Sequence, residues 1–258
     1  MSLPVLILVM VVAGLVIGSF LTVVVDRVPR GESVWTPPSH CGSCGLGLGP
    51  LDLIPVVSWI ALRGKCRRCR AAIGIEPIVI ELATAGIFVL FALKFDDTAP
   101  LPAYCILGAV LVAQTWIDLH TRRLPRMITY TGILLGGIAL TITAIVIDEP
   151  ERIWMMVLGA AIAFVTMGLI YSISRGAMGE GDVRLAPLLG MYLGWLNPGI
   201  VLPGLFFGFV AGAVFGIVSL ATDKASRRTE VPFGPFLALG TVVAILWGQQ
   251  FVDLVFAR

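Results

Sequence analysis

"MGEGDVRLAPLLGMYLGWLNPG", Met178 to Gly199, decides the fold. An acidic pair, Glu180 and Asp182, is set among glycines at the mouth of an apolar run, 183–197, that a tight "NPG" turn ends. A run this short either crosses a membrane or re-enters it. Seven other apolar segments surround it, at 4–25, 78–93, 102–119, 127–147, 153–173, 200–221 and 233–254. At about 1.5 Å of rise per residue, most of them can cross a ~30 Å hydrocarbon layer. Backbone polar groups in lipid need partners within the segment, so these are helices. The composition agrees, with 58% hydrophobic and 13% charged residues, against about 25% charged in soluble domains. The net charge of +2 says little, because in membranes the placement of charge outweighs its sum.

That placement decides whether the short run crosses. If it does, one side holds 26–77, 120–126, 174–184 and 222–232, and with them 15 of the 18 lysines and arginines. Lys94, Arg152 and Arg258 fall opposite. If it does not cross, the "TDKASRR" loop (Thr222 to Arg228) moves to the poor side and the bias weakens. The sequence therefore predicts an all-α integral membrane protein of eight transmembrane helices, with the basic side cytoplasmic and both termini outside. "MSLPVLILVMVVAGLVIGSFLTVVV" lacks a basic start and a small-residue cleavage site, and so reads as a retained span. The expected organisation is a first helix at 1–25, a cytoplasmic cysteine-rich domain at 26–77, and a seven-helix membrane domain at 78–258. The lipid bilayer is one partner, nucleic acid is not expected, and the oligomeric state is left open.

Under this topology Asp118, in "WIDLHTRRLP" (Trp116 to Pro125), stands at the cytoplasmic end of the third helix. Asp182 stands at the cytoplasmic start of the sixth, so both meet the same membrane surface. Ionisable groups at the edge of hydrocarbon are costly and usually functional. The plainer reading pairs each carboxylate with Arg122, Arg123 or Arg184. Gly179 and Gly181 argue against it for Asp182, since they let the backbone unwind and another chain approach closely. Two facing carboxylates that share a proton form the acid/base pair of an aspartic protease. The anion activates water and the neutral acid protonates the scissile carbonyl. Helix polarity makes Asp182, near a helix N-terminus, the base and Asp118, near a C-terminus, the acid.

Cys41, Cys44, Cys66 and Cys69 form C-x2-C, twenty-one residues, then C-x2-C inside the one long polar segment. That is the spacing of a four-thiolate structural zinc site. A cytoplasmic setting disfavours disulfides, and a polar segment of this size has little core without a metal. Lys65, Arg67, Arg68 and Arg70 favour thiolate at the second pair. His40 is a neighbour rather than a ligand, because four sulfurs complete the shell. Cys105 reads as a buried small hydrophobe.

The whole chain resembles the bacterial type IV prepilin peptidases, bifunctional leader peptidase/N-methyltransferases of the GxGD membrane aspartic proteases. The carrying stretches are "GSFLTVVVDRVP" (Gly18 to Pro29), the cysteine pairs, "IPVVSWIALRGKCRRC" (Ile54 to Cys69) and "IELATAG" (Ile80 to Gly86). "WIDLHTRRLP", "MGEGDVRLAPLLG" and "VPFGPFLALG" (Val231 to Gly240) complete them. The resemblance implies that Asp118 and Asp182 are the catalytic aspartates of a bacterial inner-membrane enzyme. Its substrates would be pilin-like precursors of type IV pilus or type II secretion machines, cut after a glycine that precedes an apolar helix. Gly179, Glu180, Gly181, Pro232, Gly234 and Pro235 would support or bind that substrate. The resemblance also assigns the cysteine-rich region to methyl transfer from S-adenosylmethionine to the new N-terminus, with Glu81 and Arg27 as candidate residues. Thr22 stands where the family usually has Asn, His120 where a second acid is common, and Glu76 replaces a usual aromatic residue.

A proton- or cation-coupled transporter with a zinc-binding loop would also explain acids beside membrane segments. It predicts acids near the bilayer midplane and repeated halves. Both aspartates sit at an edge instead, and no repeat is visible.

Overall fold

The computed structural model describes residues 2–95, 99–174, 178–222 and 232–256. Arg175, Lys224, Arg227, Arg228 and Arg258, which the charge argument counts, lie outside the described residues. Nine α-helices form among the described residues: α1 (Leu3–Arg27), α2 (Val57–Ala61), α3 (Glu76–Lys94), α4 (Leu101–Thr121) and α5 (Arg126–Val146), then α6 (Glu151–Ser174), α7 (Glu180–Leu196), α8 (Val201–Ala221) and α9 (Gly234–Phe256). Extended pairing is confined there to two isolated bridges, His40 with Gly47 and Lys65 with Ala72. All eight expected segments are helices. Seven are long and apolar enough to cross a membrane, and α7 is the exception. The expected count of eight spans is corrected to seven such helices plus α7. At 17 residues α7 reaches about 26 Å.

Contacts divide the chain into residues 1–101 and 102–258. In the first unit α1 and α3 pack backbone against backbone. A Cβ on Gly14 would lie 2.4 Å from Ala85 Cα, and one on Gly18 would lie 2.6 Å from Glu81 Cα. The seam therefore holds Glu81 against α1. Helix α1 ends as Val28–Arg30 tightens into a 3-10 turn closed by Gly31 in the left-handed region (φ 71°). The connection to α3 carries both cysteine pairs and α2.

In the second unit α7 is enclosed rather than lipid-facing, with Leu188, Leu189, Tyr192 and Leu193 wholly buried. Helix α6 closes on it through Gly159, where a Cβ would lie 2.3 Å from the Gly190 carbonyl. Such contacts suit lipid, where small residues let helix backbones approach. Helices α4 and α7 are tied at one end by a reciprocal pair of buried bonds. Tyr104 Oη donates to the Tyr192 carbonyl at 2.8 Å, and Tyr192 Oη donates to the Ala103 carbonyl at 2.9 Å. Each contributes about 1 kcal/mol. Counting about 1.5 Å per residue from this tie, Asp118 lies ~21 Å along α4 and Asp182 ~15 Å back along α7. Both reach the opposite end of the bundle.

Candidate active site and metal centre

Asp118 and Asp182 are both buried. Asp118 Oδ2 accepts the Gly234 N–H at 2.9 Å. That N–H opens α9, so the carboxylate of one helix caps the start of another. Asp182 occupies the first turn of α7, and its own N–H bonds to the Gly179 carbonyl at 3.2 Å. Leu124 links the two halves: a Cβ on Gly181 would lie 3.0 Å from Leu124 Cβ, and one on Gly234 would lie 3.1 Å from Leu124 Cδ2. The same Gly234 position would meet Asp118 Oδ2 at 2.9 Å, and a Cβ on Gly179 would meet Asp182 Oδ2 at 3.3 Å. Leu124, Gly179, Gly181 and Gly234 thus surround one place with both carboxyls in it.

The plainer reading of the aspartates finds no ion pair to rest on. Arg184 pairs with Glu180 at 3.1 Å, and among the described residues neither aspartate has an arginine within ion-pair distance. Glu180 itself is exposed and turned to that arginine, away from the pair. Pro235 sits in the first turn of α9 and Pro232 just before it, both half-buried. His120 stacks on Trp116 and stays exposed. One part of the sequence reading loses its basis. Helix polarity separated an acid from a base by each residue's own helix, but the Asp118 carboxyl meets the N-terminus of α9. Both carboxyls therefore face positive helix ends, and polarity no longer distinguishes them.

In the first unit the four cysteine sulfurs lie within 4.8 Å of one another. The two knuckles repeat one hydrogen-bond pattern. Cys41 N–H donates to the Leu46 carbonyl and Cys66 N–H to the Ala71 carbonyl, each at 2.8 Å. Gly45 and Arg70, four residues after each first cysteine, both take positive φ (68° and 61°). The fit to a metal can be tested by distance. Bonds of ~2.3 Å in a tetrahedron put sulfurs ~3.8 Å apart, and Cys41 Sγ and Cys69 Sγ are 3.8 Å apart. Backbone N–H groups of Cys44 and Ser43 hold the Cys41 thiol down at about 6, which suits a thiolate ligand. Four sulfur donors in this array can hold a metal ion. His40 Nδ1 lies 3.0 Å from the Pro38 carbonyl, outside the cluster.

Beside the knuckles a cavity of about 360 Å³ is lined by Ser19, Thr22, Asp52, Trp59 and Glu81, with Cys41 and Cys66 in its wall. That volume falls within the ~300–1,000 Å³ of small-molecule sites. Glu81 is buried and accepts the Val56 N–H at 2.7 Å. Arg27 is also buried, and its Nη1 donates to the Ser33 carbonyl at 3.0 Å. The sequence reading missed several of these residues. Val56 presents its N–H from a left-handed conformation (φ 60°), which a β-branched residue in "IPVV" does not advertise. Asp52 both caps its turn through Gly49 N–H and pairs with Arg67 at 2.8 Å. Leu124 and Ser19 stood in quoted stretches without a role. The Leu-Pro that ends "WIDLHTRRLP" was the available signal for a tight turn.

Residues 12–95 match the bacterial peptidase A24 N-terminal domain, and residues 105–217 match the type IV leader peptidase family. The chain is similar to the prepilin leader peptidase/N-methyltransferase of Stutzerimonas stutzeri, at 31% identity over 96% of this chain and 93% of the relative. It is similar to that of Pseudomonas aeruginosa at 31% over 93% and 90%, and to that of Bacillus subtilis at 28% over 93% and 94%. No solved structure matches the chain.

Proposed function

The chain belongs to the type IV leader peptidase family, and from that membership we propose how its parts divide the work of a prepilin leader peptidase/N-methyltransferase. It is a multi-pass membrane enzyme that removes the leader of a pilin-like precursor and methylates the new N-terminus. Asp118 and Asp182 cleave. One carboxylate takes a proton from water, whose oxygen attacks the scissile carbonyl carbon. The other, neutral, carboxyl protonates the carbonyl oxygen, and the C–N bond breaks as the amine takes a proton. Gly179, Gly181 and Gly234 leave room for an extended substrate beside the pair. The observation that carries this reading is the Gly234 N–H on Asp118, with Leu124 set between Gly181 and Gly234. The transporter reading has no support, since both acids stand at helix ends.

Methyl transfer belongs to residues 1–101. Zinc on Cys41, Cys44, Cys66 and Cys69 would hold the 26–77 segment, and the cavity they wall would take S-adenosylmethionine. When bound, that donor supplies a methyl group to an amine nucleophile. Glu81, in its lining, would take a proton from the substrate ammonium and leave the amine lone pair free to accept the methyl group. The bias of basic residues in the sequence supports a cytoplasmic position for the aspartates at the inner membrane, where the basic leader of a precursor would remain.

The test is the intact mass of a pilin-like precursor incubated with purified protein and S-adenosylmethionine. Leader loss plus one methyl group is expected with wild type, and neither with Asp182→Asn or Asp118→Asn. Full cleavage by either variant would remove that residue from the mechanism.

A further inference from the structure

Gln114 stands one helical turn below Asp118 on the same face of α4, because residues four apart on a helix lie above one another. It is 1% exposed. Its Nε2 donates to Thr129 Oγ1 at 2.7 Å and to the Pro125 carbonyl at 3.3 Å. Its Oε1 is buried and accepts no hydrogen bond from the described residues. The amide cannot simply be turned round, because an oxygen in place of Nε2 could not donate to the Pro125 carbonyl. A leucine of similar size would avoid an orphaned amide oxygen in an apolar interior. A glutamine here is therefore costly as filler.

What it holds explains it. Pro125 follows Leu124, the side chain on which Gly181 and Gly234 both close, with hypothetical Cβ approaches of 3.0 and 3.1 Å. The Gly181 side carries Asp182, and the Gly234 N–H carries Asp118. We infer that Gln114 is a positioning residue of the peptidase site. Its amide nitrogen pins the Leu124–Pro125 turn, and the turn sets the spacing of the two carboxyl-bearing ends. This rests on the reading of Asp118 and Asp182 as the peptidase pair.

The experiment compares Gln114→Leu, Thr129→Val, Thr129→Ser, the Gln114→Leu/Thr129→Val double variant and Asp118→Asn with wild type. All are full-length proteins in detergent, acting on a precursor with a basic leader, a glycine and an apolar helix. Gln114→Leu should lower kcat for leader removal about 10- to 100-fold, the scale of a sub-ångström misplacement. KM should stay within about two-fold, the melting temperature should be at or above that of wild type, and methylation of a pre-cleaved peptide should be unchanged. The double variant should be no slower than the slower single, since both break one tie, and Thr129→Ser should restore the rate. Wild-type kcat in Gln114→Leu, with Asp118→Asn inactive, overturns this inference and leaves the pair assignment standing. A kcat loss that tracks a lower melting temperature, or that is matched in methylation, overturns it as well. An active Asp118→Asn removes the pair assignment and this inference with it.

Discussion

Gly234→Ala puts the smallest possible probe on the contact between α9 and Asp118. The added Cβ would sit 2.9 Å from Asp118 Oδ2 and 3.1 Å from Leu124 Cδ2. Carbon and carbonyl-type oxygen settle at about 3.3–3.6 Å, so the carboxyl or the helix start must yield by ~0.4–0.7 Å. That takes the 2.9 Å N–H bond beyond the ~3.2 Å limit of a good one. Removing one positioned donor costs about 10²–10³ in kcat, and a 1 Å displacement about 10². A half-ångström shift with a weakened bond is expected to cost about 10- to 100-fold, or ~1.4–2.7 kcal/mol of barrier. Gly179→Ala, whose Cβ would stand at 3.3 Å from Asp182 Oδ2, is already near contact distance and should cost only a few-fold. Gly216→Ala meets nothing within 4 Å and serves as the neutral control, with a small gain from helix propensity. The assay is the initial rate of leader removal at saturating precursor, with the melting temperature recorded for each variant. Gly234→Ala turning over within about two-fold of wild type would refute the role given to this contact.

Three further outcomes are expected. Cys66→Ser should take bound zinc, by elemental analysis, from about one per chain to near none, and make residues 26–77 sensitive to protease. Glu81→Gln should lower methylation of a pre-cleaved pilin-like peptide by more than about ten-fold while leader removal continues, because a neutral amide cannot take the proton that the amine must lose. Arg67, and then the Gly49 N–H, hold the Asp52 carboxyl below its usual range, so its contribution to stability is full above the unfolded value of about 4. It is lost as pH falls through the folded value. The stability gap between wild type and Asp52→Asn should therefore be largest near neutral pH and vanish on acidification, as followed by Trp fluorescence.

How far the residues spoke for themselves depends on the range of the interaction. Every long helix was legible from apolar runs, since backbone groups in lipid leave no other choice. The short run at 183–197 was readable as a helix, yet α7 starts at Glu180 and takes Asp182 into its first turn. The cysteine pairs were legible because metal spacing is local. The Gly234 bond to Asp118 was not, because it joins residues 116 apart in sequence. Nor was the Val56 N–H on Glu81, which needs a backbone conformation that "IPVV" does not favour. Exposure of Glu180 beside the buried Asp182 follows from helical phase: two residues apart point to different faces.

Helix α7 also constrains how this protein is made. It is too short and too polar at its start to enter a bilayer reliably by its own hydrophobicity, and its glycine contacts fit it to α6. It would enter against α6, with α6 supplying the affinity for lipid and α7 following along its surface. Asp182 would then reach its place only when α7 has packed against α6. During synthesis the ribosome would have to emit about seventy percent of the chain before a second carboxyl could join the first. On the proposed reading, a nascent chain that stops before Asp182 would hold only one carboxyl of the pair and would not cut.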